Sequence, residues 1–256
     1  MLVDRERKLL PRLGTRKVYH LIKDDLQKQG LKLGRDKLFE LLRQHDLLIR
    51  PRRRYIRTTM SSHWLRKWPN LVKGKKVQYP DEVWVSDITY LKTQQGHCYL
   101  NMITDAYSRK IVGYAIADNM ETESMIGALK MATDQRRHSL VHTIHHSDRG
   151  VQYCSKEYAH LTDKNNIRLS MTENGDPYEN ALAERMNRTL KEEFGMDTVL
   201  ATKEQARLLV QESVALYNQR RPHLALQMKT PDDIYKTQIP ATSEGCRDYS
   251  KTVNLF

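Results

Sequence analysis

Residues 82–117 read EVWVSDITYLKTQQGHCYLNMITDAYSRKIVGYAIA. Three runs within it, EVWVSDITYLKT, HCYLNMITD and KIVGYAIA, are rich in β-branched and aromatic residues and are parted by the turn material QQG and AYSR. That spacing predicts a three-stranded meander. Downstream the period changes to that of a helix over about residues 121–135, where Glu121 and Glu123 favour the positive end of its dipole and Met125, Leu129 and Ala132 can face a core. LVHTIHHSD then reads as a strand, SKEYAHLTDKN as a helix, IRLSMT as a strand and ENALAERMNRTLKEEF as a helix. A further helix is expected over roughly 203–218, followed by a less regular tail. The order βββαβαβα makes this an α/β unit, and we bound it at residues 80–240, with 241–256 as a C-terminal tail.

Upstream, residues 14–29 put Val18, Leu21, Ile22 and Leu26 at helical spacing, and Gly30 stands where a helix would end. A second helix is expected from Asp36 to Gln44, with Leu38, Leu41 and Leu42 as its apolar stripe and Asp36 as its cap; residues 4–10 add a short first helix. The connection GLKLG suits a helix-turn-helix pair over residues 1–50, a DNA-binding shape, although a small helical hairpin without that role has the same pattern. Residues 51–79 combine Pro, Gly, Ser and positive charge without sustained periodicity and read as a basic linker. Arg52, Arg53 and Arg54 in it are either phosphate contacts or a solvated run.

Charge supports that division. Residues 1–76 hold 22 Lys and Arg against 7 Asp and Glu, whereas residues 77–256 hold 21 against 24, within a formal net charge of +12. A basic segment joined to a near-neutral body suits a polyanion-binding module on a catalytic unit, the alternative being a well-solvated surface. At 256 residues and 39% hydrophobic content, the chain can bury one substantial core and a smaller second one. No apolar run approaches the roughly 18 residues of a membrane span. The charged start MLVDRERK lacks the apolar centre of a signal peptide, so a cytoplasmic protein is expected. Three cysteines, Cys98, Cys154 and Cys246, are odd in number and far apart, which suggests reduced thiols.

Three acids stand at informative places. Asp87 interrupts the first apolar strand, where a carboxylate is costly unless paired or bound to metal. Asp148 ends TIHHSD just before the turn Arg149-Gly150, at the mouth of a strand, where open α/β sheets gather their sites. Glu184 shares a helix face with Asn180, Asn187 and Lys191, opposite the apolar stripe Leu182, Met186 and Leu190. Such a polar face alone is equally that of a solvated helix; its coincidence with the two strand acids favours a site. Asp105 closes a strand and opens a turn, so a hydrogen-bonded turn role is expected of it. His142, His145 and His146 precede Asp148, but strand alternation points the last two to opposite faces, which favours structural or supporting roles over chelation. Hard oxygen ligands of this kind suit Mg²⁺ or Mn²⁺.

At these residues the chain resembles the integrase core of retroviruses and bacterial insertion elements, whose fold is ribonuclease-H-like: a five-stranded mixed sheet with flanking helices. Sixty residues lie between Asp87 and Asp148 and 35 between Asp148 and Glu184, the spacing of that family's acidic signature, and Lys191 falls at its basic position seven residues after the glutamate. WVSDITY, YLNMITDAYSRKIVGYAIA, HHSDRGVQY, ENALAERMNRTLKEE and YNQRRPHLAL further resemble the second-reading-frame transposases of the IS-three type, over roughly residues 12–235. The resemblance implies a DNA transposase with Asp87, Asp148 and Glu184 as catalytic ligands of two Mg²⁺ or Mn²⁺ ions, and Lys191 on the DNA. Asn180, Asn187 and Arg188, on or beside the same face, are weaker nucleic-acid candidates of our own. It also implies double-stranded DNA ends and target as partners, a homo-oligomer on the DNA, fusion to an upstream reading-frame product, and action at the bacterial nucleoid. Two other classes stay open on the residues alone: a ribonuclease-H-like nuclease that hydrolyses without joining, and a non-catalytic DNA-binding regulator built on residues 1–50.

Overall fold

The computed structural model describes residues 2–49, 67–137, 142–173 and 180–237. The meander forms as expected, as β1 (Val83–Thr93), β2 (Gly96–Asp105) and β3 (Ile111–Ala117), antiparallel in sequence. Two short strands, β4 (Thr143–Ser147) and β5 (Ile167–Met171), then add in parallel, giving the sheet order β3-β2-β1-β4-β5. A mixed five-stranded sheet results, with helices on both faces.

Strand alternation sorts the core into layers. On one face Leu91, Cys98, Leu100 and Met102 bury against Met186 and Leu190 of α6 (Ala181–Glu193) and Val210, Val214 and Tyr217 of α7 (Lys203–Gln219). The opposite face sets Trp84, Ile103 and Val112 against α4 (Thr122–Gln135) and α5 (Lys156–Lys164), with Met125, Leu129, Tyr153 and Tyr158 filling the layer. Gly113 fits β3 tightly to α4: a Cβ built there would lie 2.1 Å from the Ala128 carbonyl oxygen.

Among the described residues three helices precede the sheet: α1 (Leu2–Leu9), α2 (Thr15–Lys28) and α3 (Arg35–Gln44). Gly30, at φ +70°, ends α2 in the left-handed conformation that glycine adopts at least cost. Leu10, Leu13, Val18, Ile22, Leu26, Leu38 and Leu42 of this segment belong to the same apolar cluster as α6 and α7. Two details differ from the sequence expectation. Asp36 does not cap α3: Gly34 holds that position with no side-chain cap, and Asp36 accepts from Arg35 Nε at 2.8 Å, because an acid inside the first turn serves the dipole without reaching a free amide. Leu41 is exposed, the stripe being carried by Leu38 and Leu42.

Residues 67–79 contain no helix or strand, yet Leu71 N donates to Ser170 Oγ (2.9 Å) and Leu71, Val72 and Val77 pack beside Val83 and Val85. After α7 the chain makes a 3-10 turn (Leu224–Leu226) and α8 (Pro231–Tyr235), whose Thr230–Asp233 capping box is complete. Tyr235 donates its hydroxyl to Asp81 (2.7 Å), and Asp81 also accepts from Trp84 Nε1 (3.1 Å). Cys98 and Cys154 are buried free thiols, and Cys246 lies outside the described residues. Among the described residues no helix is long and apolar enough to cross a membrane.

Candidate active site

Sheet register brings the strand ends that carry two distant aspartates side by side. β1 and β4 run parallel with Val83 beside Ile144, Trp84 beside His145 and Val85 beside His146. β4 ends at Ser147, so Asp148 leaves the strand just past the last pair, near enough to Asp87 to help raise that carboxyl's pKa. Pairing of β1 with β4 stops at Val85; among the described residues Leu200 next bridges that edge at Thr93, and α6 closes in on the gap between. Asn180 at the helix N-cap donates Nδ2 to Ser86 O (3.0 Å), and Asn187 donates Nδ2 to Asp87 Oδ2 (2.8 Å). Glu184 lies between these two on the same helix face, one turn from each.

Electrostatics report the same convergence. Burial pushes the Asp87 carboxyl up to about 7, Asp148 and Glu184 add to the shift, and the Asn187 and Ile88 N–H bonds oppose it. Like charges brought together around a desolvated carboxyl hold its proton. The carboxylates are not closed on a point: Asp148 Oδ1 accepts from Gly150 N (3.0 Å), and among the described residues no three His, Cys, Asp or Glu side chains meet as an ion-holding cluster.

Beneath the acids, Ser86 Oγ and the Tyr153 hydroxyl are 2.6 Å apart, fixing the strand that carries Asp87. His145 and His146 are both fully buried, on opposite faces as alternation requires. His145 packs against Tyr153 and Tyr158, and burial drives its pKa down to about 3, so it is neutral filling; His146 Nδ1 meets Ser170 Oγ at 2.9 Å. Asp105 takes the turn role expected of it, accepting from Ser108 N (2.7 Å) and Asp81 N (2.8 Å).

Of the nucleic-acid candidates, Asn180 and Asn187 are buried with their amides directed at the protein, and Arg188 is exposed beside them. Lys191 is half-buried; burial lowers its pKa while Asp87 pulls the other way. Its Nζ lies 4.7 Å from the centre of the Tyr90 ring. Arg52, Arg53 and Arg54 lie outside the described residues. Sequence reasoning missed Tyr90, whose one signal was its place three residues after Asp87 in the same strand.

Comparison with known proteins points in one direction. A family model described as "Integrase core domain" matches residues 78–177, and a second of the same description matches residues 165–231. The chain is 34% identical over 220 residues to an uncharacterized 31 kDa protein of insertion element IS600 from Shigella sonnei, covering 85% of this chain and 79% of that protein. It is 31% identical over 208 residues to the transposase for insertion sequence element IS629 from the same organism, covering 81% and 68%. Among solved structures, a chain of the simian T-cell lymphotropic virus intasome, in complex with PP2A regulatory subunit B56 gamma, superposes with a TM-score of 0.54 over 92% of this chain and 75% of its own. At 15% identity that likeness concerns the fold: the sheet and helices here are those of a ribonuclease-H-like integrase core.

Proposed function

The chain belongs to the insertion-sequence transposases that carry an integrase core domain, and from that premise we propose that it cuts and joins DNA with Asp87, Asp148 and Glu184 as catalytic carboxylates holding two Mg²⁺ or Mn²⁺ ions. The observation that carries this reading is the bond from Asn187 to Asp87, which ties that buried acid to the helix of Glu184 at the edge where β4 ends in Asp148, with burial, Asp148 and Glu184 raising the Asp87 pKa. Three hard oxygen donors that repel one another, with His145 and His146 engaged elsewhere, form a donor set suited to hard divalent cations. When bound, such ions activate the attacking oxygen and stabilise the leaving oxygen of an in-line displacement at phosphorus.

The chain's own residues orient and bind. Asn187 fixes one oxygen of Asp87 through its amide, and Asn180 takes up the Ser86 carbonyl that β4 does not reach, so the strand end carrying Asp87 is held to α6. Lys191 and the exposed Arg188 supply positive charge for DNA phosphates on that helix. The basic α1–α3 segment, with Arg52, Arg53 and Arg54, contributes sequence-independent phosphate affinity, which makes DNA binding steeply salt-dependent. The protein works as a multimer bridging two element ends in the bacterial cytoplasm, fused to its upstream reading-frame segment.

The test is Mg²⁺-dependent cleavage and joining of labelled element ends by the wild type and by Glu184→Gln. Joining by the wild type alone is expected. Joining by both would remove Glu184 from the chemistry, and hydrolysis without joining would make the chain a nuclease.

A further inference from the structure

Lys191 does not reach its neighbourhood alone. Register pairs Tyr90 with Tyr99 and Lys92 with His97, so these four side chains share the face of the β1–β2 hairpin opposite to Asp87 and Leu91. Lys191 comes from α6, which packs on the Leu91 face. Ring and ammonium therefore meet at the edge of β1 that β4 leaves open beyond Val85. The Tyr90 ring takes the ammonium at 4.7 Å from its centre, and His97 closes on the same ring edge-on, centroids 5.4 Å apart and planes at 80°.

A lysine side chain has a long flexible stem, and fixing it on a phosphate costs rotamer entropy at the moment of binding. A lysine already held over an aromatic face has lost that freedom before DNA arrives. We propose that Tyr90, backed by His97, is the positioning residue for Lys191, keeping its ammonium at the open edge of β1 beside Asp87, aimed at a DNA phosphate adjoining the scissile one. This rests on the reading of the chain as a DNA strand-transfer enzyme with Lys191 on the DNA. It adds two residues of the β1–β2 hairpin, Tyr90 and His97, of which Tyr90 meets α6 at Lys191.

Two measurements test it. The first needs no DNA: in the full chain with ¹³C-labelled lysine, the Lys191 ε-methylene signal, assigned by its loss in Lys191→Arg, is expected upfield of other lysines from the Tyr90 ring current. It keeps that position in Tyr90→Phe and loses it in Tyr90→Leu; an unshifted Lys191 signal in the wild type overturns the inference. The second is a double-mutant cycle on binding of a fluorescent element-end duplex, with Tyr90→Leu, Lys191→Ala and the pair. Tyr90→Leu is expected to weaken binding roughly fivefold, Tyr90→Phe to restore it, and Tyr90→Leu to add nothing once Lys191 is alanine. Additive losses overturn the inference while joining by the wild type keeps the transposase reading. Failure of the wild type to join in Mg²⁺ when fused to its upstream reading-frame segment instead removes that reading, and the lysine spectrum still decides whether Tyr90 holds Lys191.

Discussion

Asp87 is where local chemistry and stability meet. Burial, then Asp148 and Glu184, raise its carboxyl from an ordinary 3.8 to about 7. A carboxyl whose folded pKa lies above its unfolded value binds its proton more tightly in the native state, so stability is present at low pH and is lost as pH rises through that window. Asp105, pushed up to about 6 mainly by burial, acts in the same direction. In EDTA, the melting temperature of the wild type is therefore expected to fall between about pH 4 and about pH 7 and then to level off. Asp87→Asn removes the charge without the shape and should flatten much of that fall, leaving the share of Asp105. Equal pH slopes for the two proteins would mean that burial and the neighbouring acids do not raise Asp87. Asn187 opposes the shift through its amide, so Asn187→Leu should move the fall in wild-type stability towards higher pH, checked in the same titration.

Elements β3 and α4 show how closely the two layers are fitted. Gly113 faces the helix backbone: an added Cβ would lie 2.1 Å from Ala128 O and 3.0 Å from the Ala132 Cβ. A carbonyl inside a helix cannot step aside, so Gly113→Ala should push α4 off the sheet and cost about 2–3 kcal/mol, read by urea denaturation. A cost within experimental error would refute the close approach. The glycine stood in the sequence as one letter of KIVGYAIA, and nothing local marked it as a contact with a helix. What was legible were features with a short period: alternation in β1–β3, and the 3.6-residue stripe of α6, which brought Asn180, Glu184, Asn187 and Lys191 to one face. The acids could be singled out because a carboxylate in an apolar strand conflicts with its surroundings, and family resemblance supplied their spacing. Long-range choices were not legible. Parallel pairing that brings the end of β4 beside β1, the Tyr90 ring under Lys191, and α8 anchoring Tyr235 on Asp81 depend on which elements the chain brings together, although Thr230, Pro231 and Asp233 did carry a readable capping signature.

At the scale of the whole molecule, the basic N-terminal helices join the sheet unit through shared apolar packing, through Arg220 on the buried Glu6 of α1 at 3.1 Å, and through a charged junction at Glu193. Glu193 ends α6, where a negative charge is unfavourable to the helix dipole and needs external cations. Arg221 supplies them bidentately, Nη2 to Oε1 at 2.6 Å and Nε to Oε2 at 2.7 Å, while Lys17 of α2 approaches Oε1 at 3.4 Å and Arg12 N donates to Glu193 O at 3.2 Å. His223 sits against Arg221 Nη1 at 2.7 Å; burial and then Arg221 hold its pKa far down, so it is neutral. The two cations are not equivalent. Burial works against the Glu193 carboxylate, yet Arg221 and Lys17 outweigh it and keep its pKa low. Lys17 loses instead: burial first and Arg221 next bring its pKa down to about 8 despite Glu193. Arg221→Leu should accordingly strand a largely enclosed carboxylate and cost about 2–3 kcal/mol, somewhat under the full value for a buried pair because Glu193 retains some exposure. Lys17→Met keeps the stem and deletes a charge held at a loss, so it should change stability by less than about 1 kcal/mol. Since α6 also carries Glu184 and Lys191, Arg221→Leu is further expected to speed hydrogen exchange along the last two turns of that helix, and Lys17→Met to leave it unchanged. Equal costs for the two substitutions would shift the energy of the junction from the bidentate pair to the apolar contacts around it, and the N-terminal helices would then be fastened to α6 by packing and the Arg12 N to Glu193 O bond.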